Sequence, residues 1–343
     1  MARMTSSIAQ IAAAFGPFFV LLAIVMIAEK SPKWRRKDLG AYLYLYPAFI
    51  VLGVFHIAPV LYSFSLSLYR DVSIYKKEFV WFANYAQLWQ DAQFWDSLKC
   101  TAWFVIGSVP LSIFLSLMIA LLLNTEISGK GFYRTVYFLP VITSIAAISV
   151  VWKWLYNSEY GLLNHWLGWQ RFDWLQQNQG IFLMMAHKLT GRTQMPPFIP
   201  EGPSIAMIAV IVMSVWKGLG YNAIIFLAGL QNIPRELYEV AKIDGASAWD
   251  SFKNITWPLL SPTTYFILVV TTISSFQVFA QIWMLYDGMP SESTRVIVML
   301  LYDTAFKSNN FGYASAIAYA LFGIIFSLTM IQRKLAESRV HYQ

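Results

Sequence analysis

At 343 residues the chain has the length of about two soluble domains, but 57% of it is apolar and only 13% charged, against roughly 45–50% and about 25% in ordinary globular proteins. So little charge cannot cover a water-facing surface of this size, and a mean hydropathy of +0.51 places the outside of the molecule in lipid. The single cysteine, Cys100, excludes an internal disulfide and a thiolate metal cluster, and the net charge of +7 is read as basic residues marking cytoplasmic loops rather than a nucleic-acid surface.

A helix needs about 20 mostly apolar residues to cross a hydrocarbon core about 30 Å thick. Stretches that qualify run from Ile8 to Ala28, Ala41 to Leu68, Cys100 to Leu123, Val136 to Trp154, Ile205 to Leu230, Tyr265 to Leu285 and Tyr313 to Ile331. The expectation is an all-α polytopic membrane protein with about seven transmembrane helices. Ile8–Ala28 is expected to be a retained anchor and not a signal peptide, because it is long and no small-residue cleavage site follows Ala28. Lys33, Arg35, Arg36 and Lys37 follow it closely, which puts that linker in the cytoplasm and the N-terminus outside.

Threading onward places Asn124–Arg134, Gln231–Trp257 and the tail with Arg333, Lys334 and Arg339 inside. The connections Tyr69–Leu98, Tyr156–Pro203 and Tyr286–Phe311 fall outside, and the C-terminus is cytoplasmic. The expected organisation is an extra N-terminal helix with its basic linker (1–40), a first core span with an outer loop (41–98), a helical domain (99–332) and a cytoplasmic tail (333–343). His56, His165, His187 and His341 lie far apart, which leaves no zinc-ligand spacing.

The inner connection 231–258 carries two helical patterns of its own. In NIPRELYEVAKIDG, Asn232 is a candidate cap, Pro234 suits a first turn and Glu236 suits the positive end of the helix dipole. Leu237, Val240 and Ala241 share a face, with Ile233 one turn before, and Gly245 supplies a left-handed stop. In ASAWDSFKNITWP, Ser247 and Asp250 have capping-box spacing, Trp249, Phe252 and Ile255 form an apolar stripe, and Pro258 ends the pattern. Two readings fit such amphipathic helices equally: packing on the protein's own spans or the interface, or docking helix-in-groove into a soluble partner.

Glu239-Val240-Ala241, Gly245 after three residues, then Ile255 and Pro258 resemble the EAA loop of ABC-importer permeases. The spacing agrees throughout, and the departures are Val240 for an alanine and Trp257 for a leucine. The segments GFYRTVYFLPVITS, WKWLYNSEYGLLN, IFLAGLQNIPRELYEVAKIDGA, STRVIVMLLYDTAF and GYASAIAYALF are similar to the carbohydrate-uptake branch of that family, over most of the chain from Tyr42 to Arg333. QNQGIFLMMAHKLTGRTQMPPFIPEGP looks longer than that outer loop usually needs, and its GIFLMMAHKL part reads as a short interfacial helix.

The resemblance implies a six-helix type I importer core behind the extra N-terminal helix. It implies that the chain binds no cofactor and that ATP and Mg sit on a partner ATPase pair; SGKGFYR indeed lacks the glycine-rich phosphate loop. It further implies a second homologous permease, an extracytoplasmic solute-binding protein and surrounding lipid as partners, in the inner membrane, with no nucleic acid. Glu239 would contact the ATPase, Ala241 would allow close approach and Gly245 would set the turn. Asp244 would cap the second helix or pair with a base on the partner. Trp249, Phe252 and Ile255 would fill either the docking groove or space against the permease.

Within the spans, Lys217 either lines a water-filled path or snorkels to the interface, as a span starting later than drawn would allow; the second is favoured, because Gly218 and Gly220 nearby can distort the helix. Asn222, Gln277 and Gln281 are candidates both for the pathway and for interhelical hydrogen bonds. Trp152 and Trp154 fit an aromatic belt. A gradient-driven secondary transporter is the alternative, but no inverted repeat is evident and no Asp or Glu falls mid-span. A membrane-embedded enzyme would need clustered His, Glu or Cys, so no catalytic residue or metal site is expected.

Overall fold

The computed structural model describes residues 45–73, 76–125, 128–169, 171–190 and 202–337. The anchor expected at Ile8–Ala28, its basic linker and the end of the tail lie outside these. The chain divides into two compact units, Met1–Asn84 and Tyr85–Gln343.

In the first unit, helix α1 (Leu45–Ser67) has none of its most apolar stretch buried in protein, as suits side chains that meet lipid. Its backbone widens to a π turn over Gly53–Ile57, where the Ala58 N–H donates to Gly53 O. Pro59 follows immediately, and its ring would crowd the carbonyl four residues back in a regular helix. The connection after α1, expected as an outer loop, folds into an antiparallel hairpin of β1 (Tyr69–Ser73) and β2 (Lys76–Phe79) with Tyr69 opposite Phe79. Buried Asn84 ties the hairpin to the end of α1, its Nδ2 donating to Ser67 O and Tyr69 O at 2.8 Å each. Asn84 lies in helix α2 (Ala83–Gln90), which leads into the second unit.

The second unit is built around α3 (Ala92–Asn124) and α8 (Ile205–Gln231), which pack along one another. Asp91 Oδ1 accepts the Gln93 N–H and caps α3, so this helix begins eight residues before the expected span and reaches about 50 Å at 1.5 Å per residue. Small polar residues let the helices approach closely. Ser116 donates to Leu219 O, Ser108 meets Ser275, and Thr101 accepts the Ile297 N–H. A Cβ at Gly220 would collide with the backbone carbonyl of Tyr137 in α4 (Lys130–Ile142), so only glycine permits that crossing.

Among the described residues four helices are long and apolar enough to cross a membrane, or six if each bent pair counts as one span. The straight span expected over Val136–Trp154 is instead α4 followed by α5 (Ile145–Leu155), bent by 100°. Pro140 deprives the ladder of a donor, and Thr143 and Ser144 are extended. Trp152 packs into the core against Trp216, while Trp154 faces out, so only Trp154 keeps a belt position. The span expected over Tyr265–Leu285 starts earlier, as α11 (Ser261–Phe276), and breaks before α12 (Ala280–Leu285), where Phe279 leaves helical geometry with φ −147° and ψ −59°. The last span is α14 (Phe311–Glu337).

Two expected loops carry helices among their described residues. Between Tyr156 and Pro203 lie α6 (Leu162–Leu167) and α7 (Ile181–Thr190), the latter touching α3 through Phe182 and Trp103 at 5.9 Å. Between Tyr286 and Phe311 lies α13 (Ile297–Tyr302), whose Ile297, Met299 and Leu300 are buried against α3 and α14. Arg295 and Lys307 both hold Asp303 at 2.7 Å at its end.

Buried Asn164 organises the 157–174 segment. Its Nδ2 donates to the carbonyls of Asn157, Ser158 and Phe172, and its Oδ1 accepts the Trp174 indole N–H. Asn164→Ala should lower stability by about 1–3 kcal/mol, because buried polar groups lose their partner. Limited proteolysis in detergent checks this: cleavage between Tyr156 and Trp174 is expected to accelerate, and an unchanged rate would refute the role.

Candidate functional site

The 231–258 connection forms two short helices, α9 (Arg235–Ile243) and α10 (Ala248–Leu259). The join is a full Schellman motif: Ala246 N–H donates to Ala241 O and Gly245 N–H to Lys242 O. Gly245 takes φ +78° with nothing near the place of a Cβ, so its requirement is conformational, not steric. The expected capping box is present, with Asp250 N–H donating to Ser247 Oγ and Asp250 Oδ2 accepting the Ser247 N–H. The Ser247 hydroxyl donating to Asp250 Oδ2, and after it the Ser247 N–H, hold the Asp250 carboxyl below the usual carboxylate range.

Three local expectations are corrected. Ser247, not Asp244, caps α10; Asp244 is the exposed C-cap residue of α9. Asn232 does not cap α9 but closes α8, donating its N–H to Ala228 O and Gly229 O. Pro258 does not end the second pattern. The helix widens to a π turn over Phe252–Thr256, with Trp257 N–H donating to Phe252 O, and Pro258 sits in the turn that follows.

The apolar residues of the loop divide between two faces. Tyr238, Phe252, Ile255 and Leu259 pack half-buried on Leu117, Phe226, Leu230 and Ile267 of the helical body. Tyr238 and Thr256 hydroxyls meet at 2.9 Å and lace α9 to α10. The other face is bare: Val240 is 56% exposed, Ile243 85% and Trp249 67%, with Leu237 beside them. Trp249 stacks on Phe252 at 5.5 Å but remains open to the outside. Glu239 and Asp244 are exposed, and Ala241 and Pro258 are half-buried. The expected stripe of Leu237, Val240 and Ala241 is therefore split, and Tyr238 was missed as the anchor; its place three residues before Ala241 was the available signal.

A second feature is a cleft of about 310 Å³ between α3, α8 and α11. Ser108, Ser112, Lys217, Asn222, Thr271, Ser274 and Gln281 all line it. Asn222 donates to Ser112 Oγ at 3.0 Å and Thr271 Oγ1 at 3.3 Å, joining three helices. Lys217 lies about 18 Å along α8 from its start at Ile205, and its side chain lines this cleft. Gln277 is not brought to this cleft; it is exposed in an apolar groove with Leu321, Phe322 and Ile325 of α14. The serine lining was not predicted, although the four-residue spacing of Ser108, Ser112 and Ser116 was a readable stripe. Among the described residues no group of three or more His, Cys, Asp or Glu is placed to hold a metal.

Residues 93–340 match the family described as binding-protein-dependent transport system inner membrane component. The chain belongs to that family. It is 34% identical over 312 residues to the trehalose/maltose transport system permease protein MalF of Thermococcus litoralis, covering 90% of this chain and 96% of that one. It is 31% identical to the lactose transport system permease protein LacF of Rhizobium radiobacter, covering 91% and 98%. Its fold is that of a chain in the crystal structure of a bacterial ABC transporter involved in the import of the acidic polysaccharide alginate (TM-score 0.68, 23% identity, covering 88% and 96%). As a permease subunit of an ATP-driven importer, the protein is non-catalytic and provides passage across the membrane.

The two faces of the permease loop differ in what a substitution should do. Phe252→Ala removes half-buried area and should cost about 1–2 kcal/mol, whereas Ile243→Ser should stay within about 0.5 kcal/mol of the parent. Thermal unfolding in detergent compares them; equal midpoints for the two variants would contradict this division of faces.

Proposed function

We propose that this permease forms half of the translocation pathway of an ATP-driven importer for a sugar, oligosaccharide or polyol-type solute, paired with a second homologous permease. The observation that carries the coupling part is the two-faced 231–258 loop, anchored by Phe252 and Ile255 while Val240, Ile243 and Trp249 stand bare. A rigid element fastened on one side transmits a push received on the other. In this reading the ATPase pair, which holds ATP and Mg, docks on the bare face, with Glu239 and Asp244 at its charged rim. Gly245 keeps the two helices at their angle.

The cleft beside Lys217, Asn222 and Gln281 supports a polar path, because its hydroxyls can exchange for the water around a polyhydroxy solute. Gln277 is left out of that path. The printed cargoes of the relatives, trehalose/maltose and lactose, support a carbohydrate. Loaded solute arrives from an extracytoplasmic binding protein at the face bearing the Tyr156–Pro203 and Tyr286–Phe311 connections. The loop 231–258 and the C-terminus are then cytoplasmic and the N-terminus outside, in the inner membrane.

A graded series at Gly245 tests coupling. Gly245→Val places a β-branched residue at positive φ and should abolish ATP-driven uptake, while Gly245→Asn, which tolerates the left-handed region, should keep much of it. Both proteins should remain in the membrane. Normal uptake by Gly245→Val would refute the coupling role. Affinity purification through a C-terminal tag should bring down an ATPase and a second permease, and Ile243→Ser should weaken retention of the ATPase. A chain that purifies alone and transports only on an imposed ion gradient would favour the secondary-transporter alternative.

A further inference from the structure

A second polar cleft, of about 420 Å³, lies where the N-terminal ends of α3 and α8 meet the 292–295 turn. Gln93, Asp96, Lys99, Asn178 and Glu292 surround it, and the Trp103 ring contributes an apolar wall. Its walls come from distant parts of the chain and are fastened to each other. Cys100 Sγ–H donates toward the carbonyls of Glu292 and Ser293, and Ser293 Oγ donates to Asn178 Oδ1 at 2.7 Å. An antiparallel bridge joins Gly180 to Ser204, and Ala206 N–H donates to Gln177 O. The cleft is therefore held in shape by the fold itself.

Its chemistry is mixed in a particular way. Among the described residues the charged groups of Asp96, Lys99 and Glu292 form no ion pair and no hydrogen bond, although both signs of charge line one cleft. Arg295 is turned to Asp303. Carboxylates and amides accept hydroxyl hydrogens, an ammonium donates to hydroxyl oxygens, and an aromatic wall suits the C–H face of a ring. Two carboxylates against one uncommitted ammonium disfavour an anion, and with the amides and the aromatic wall beside them they suit the hydroxyls of an uncharged ring.

The cleft also sits in line with the central one. Gln93, Ser97, Cys100, Phe104, Ser108 and Ser112 follow one another at spacings of three or four residues along a single face of α3. Between the clefts, Phe104 and Met207 are 2% and 1% exposed and fill the seam. We infer that the cleft is an external holding site for a neutral saccharide, occupied before the seam at Phe104 and Met207 opens toward the central cleft. This rests on the carbohydrate reading given above.

The test uses the whole transporter, purified with its partners, and a cysteine reporter at each cleft in a Cys100→Ser background: Gln93→Cys for the outer and Ser274→Cys for the central. Trehalose and lactose are the neutral probes, with sn-glycerol 3-phosphate and spermidine as charged ones, and the readout is the concentration that halves maleimide labelling. A neutral disaccharide should protect Gln93→Cys, and Asp96→Asn with Glu292→Gln should raise its half-protecting concentration about tenfold or more. The same pair of substitutions should leave protection of Ser274→Cys unchanged, which excludes a general loss of folding. Protection at Ser274→Cys alone, or at Gln93→Cys by the charged probes alone, would overturn the holding site while the carbohydrate reading stands. Labelling of both reporters with no protection by either sugar would overturn the carbohydrate reading and this inference with it.

Discussion

The close approach of α8 to α3 and α4 is the constraint on which the rest of the second unit depends. In lipid no hydrophobic force drives helices together, so their association relies on packing and hydrogen bonds. Gly220 lets the Tyr137 carbonyl approach, and Ser116 reaches Leu219 O across the seam. These contacts set α8 in the middle of the unit, where half of its most apolar stretch is buried. Both polar clefts open beside this seam, and the chain leaves its far end directly into the 231–258 loop. Moving α8 would therefore disturb the clefts and that loop together.

Proline and small hydroxyl residues shape the spans around that seam. At Ala58-Pro59 and at Trp257-Pro258 the residue before proline donates five residues back, so a clash is resolved by a wider turn and the helix continues. At Thr143–Ser144 the backbone turns extended and the span bends by 100°. The freed backbone groups need partners away from water, and Thr143 supplies one by donating its hydroxyl to Leu139 O. The coupling loop inherits this logic: its second helix runs through a π turn into a 62° bend and then into α11. The bare-faced loop is thereby continuous with a helix that lines the central cleft.

Much of the loop was legible in the sequence because its rules are local. Ser247 and Asp250 stand at capping-box spacing and form one, and Gly245 stands where a helix needs a left-handed stop and takes φ +78°. The misreadings were also local choices, decided by competition. Asn232 was a plausible cap for α9 but is consumed in closing α8, and Asp244 yields the cap of α10 to Ser247, which lies in register with Asp250. Hydropathy located the spans but not their breaks at Thr143 and Gln277, since a bent helix and a straight one of the same composition read alike.

The sequence by itself determined a helical chain with membrane-spanning segments and, in the 231–258 loop, a cap and a stop, because these follow from composition, periodicity and short-range hydrogen bonding. Only the tertiary structure decided which residues face each other. It brought Lys217, Asn222 and Gln281 to one cleft and sent Gln277 to another. It also turned Phe252 and Ile255 inward while leaving Ile243 and Trp249 bare. The reason is that a helix presents several polar or apolar residues around its circumference with equal local merit, and only the packing of α3, α8 and α11 selects among them.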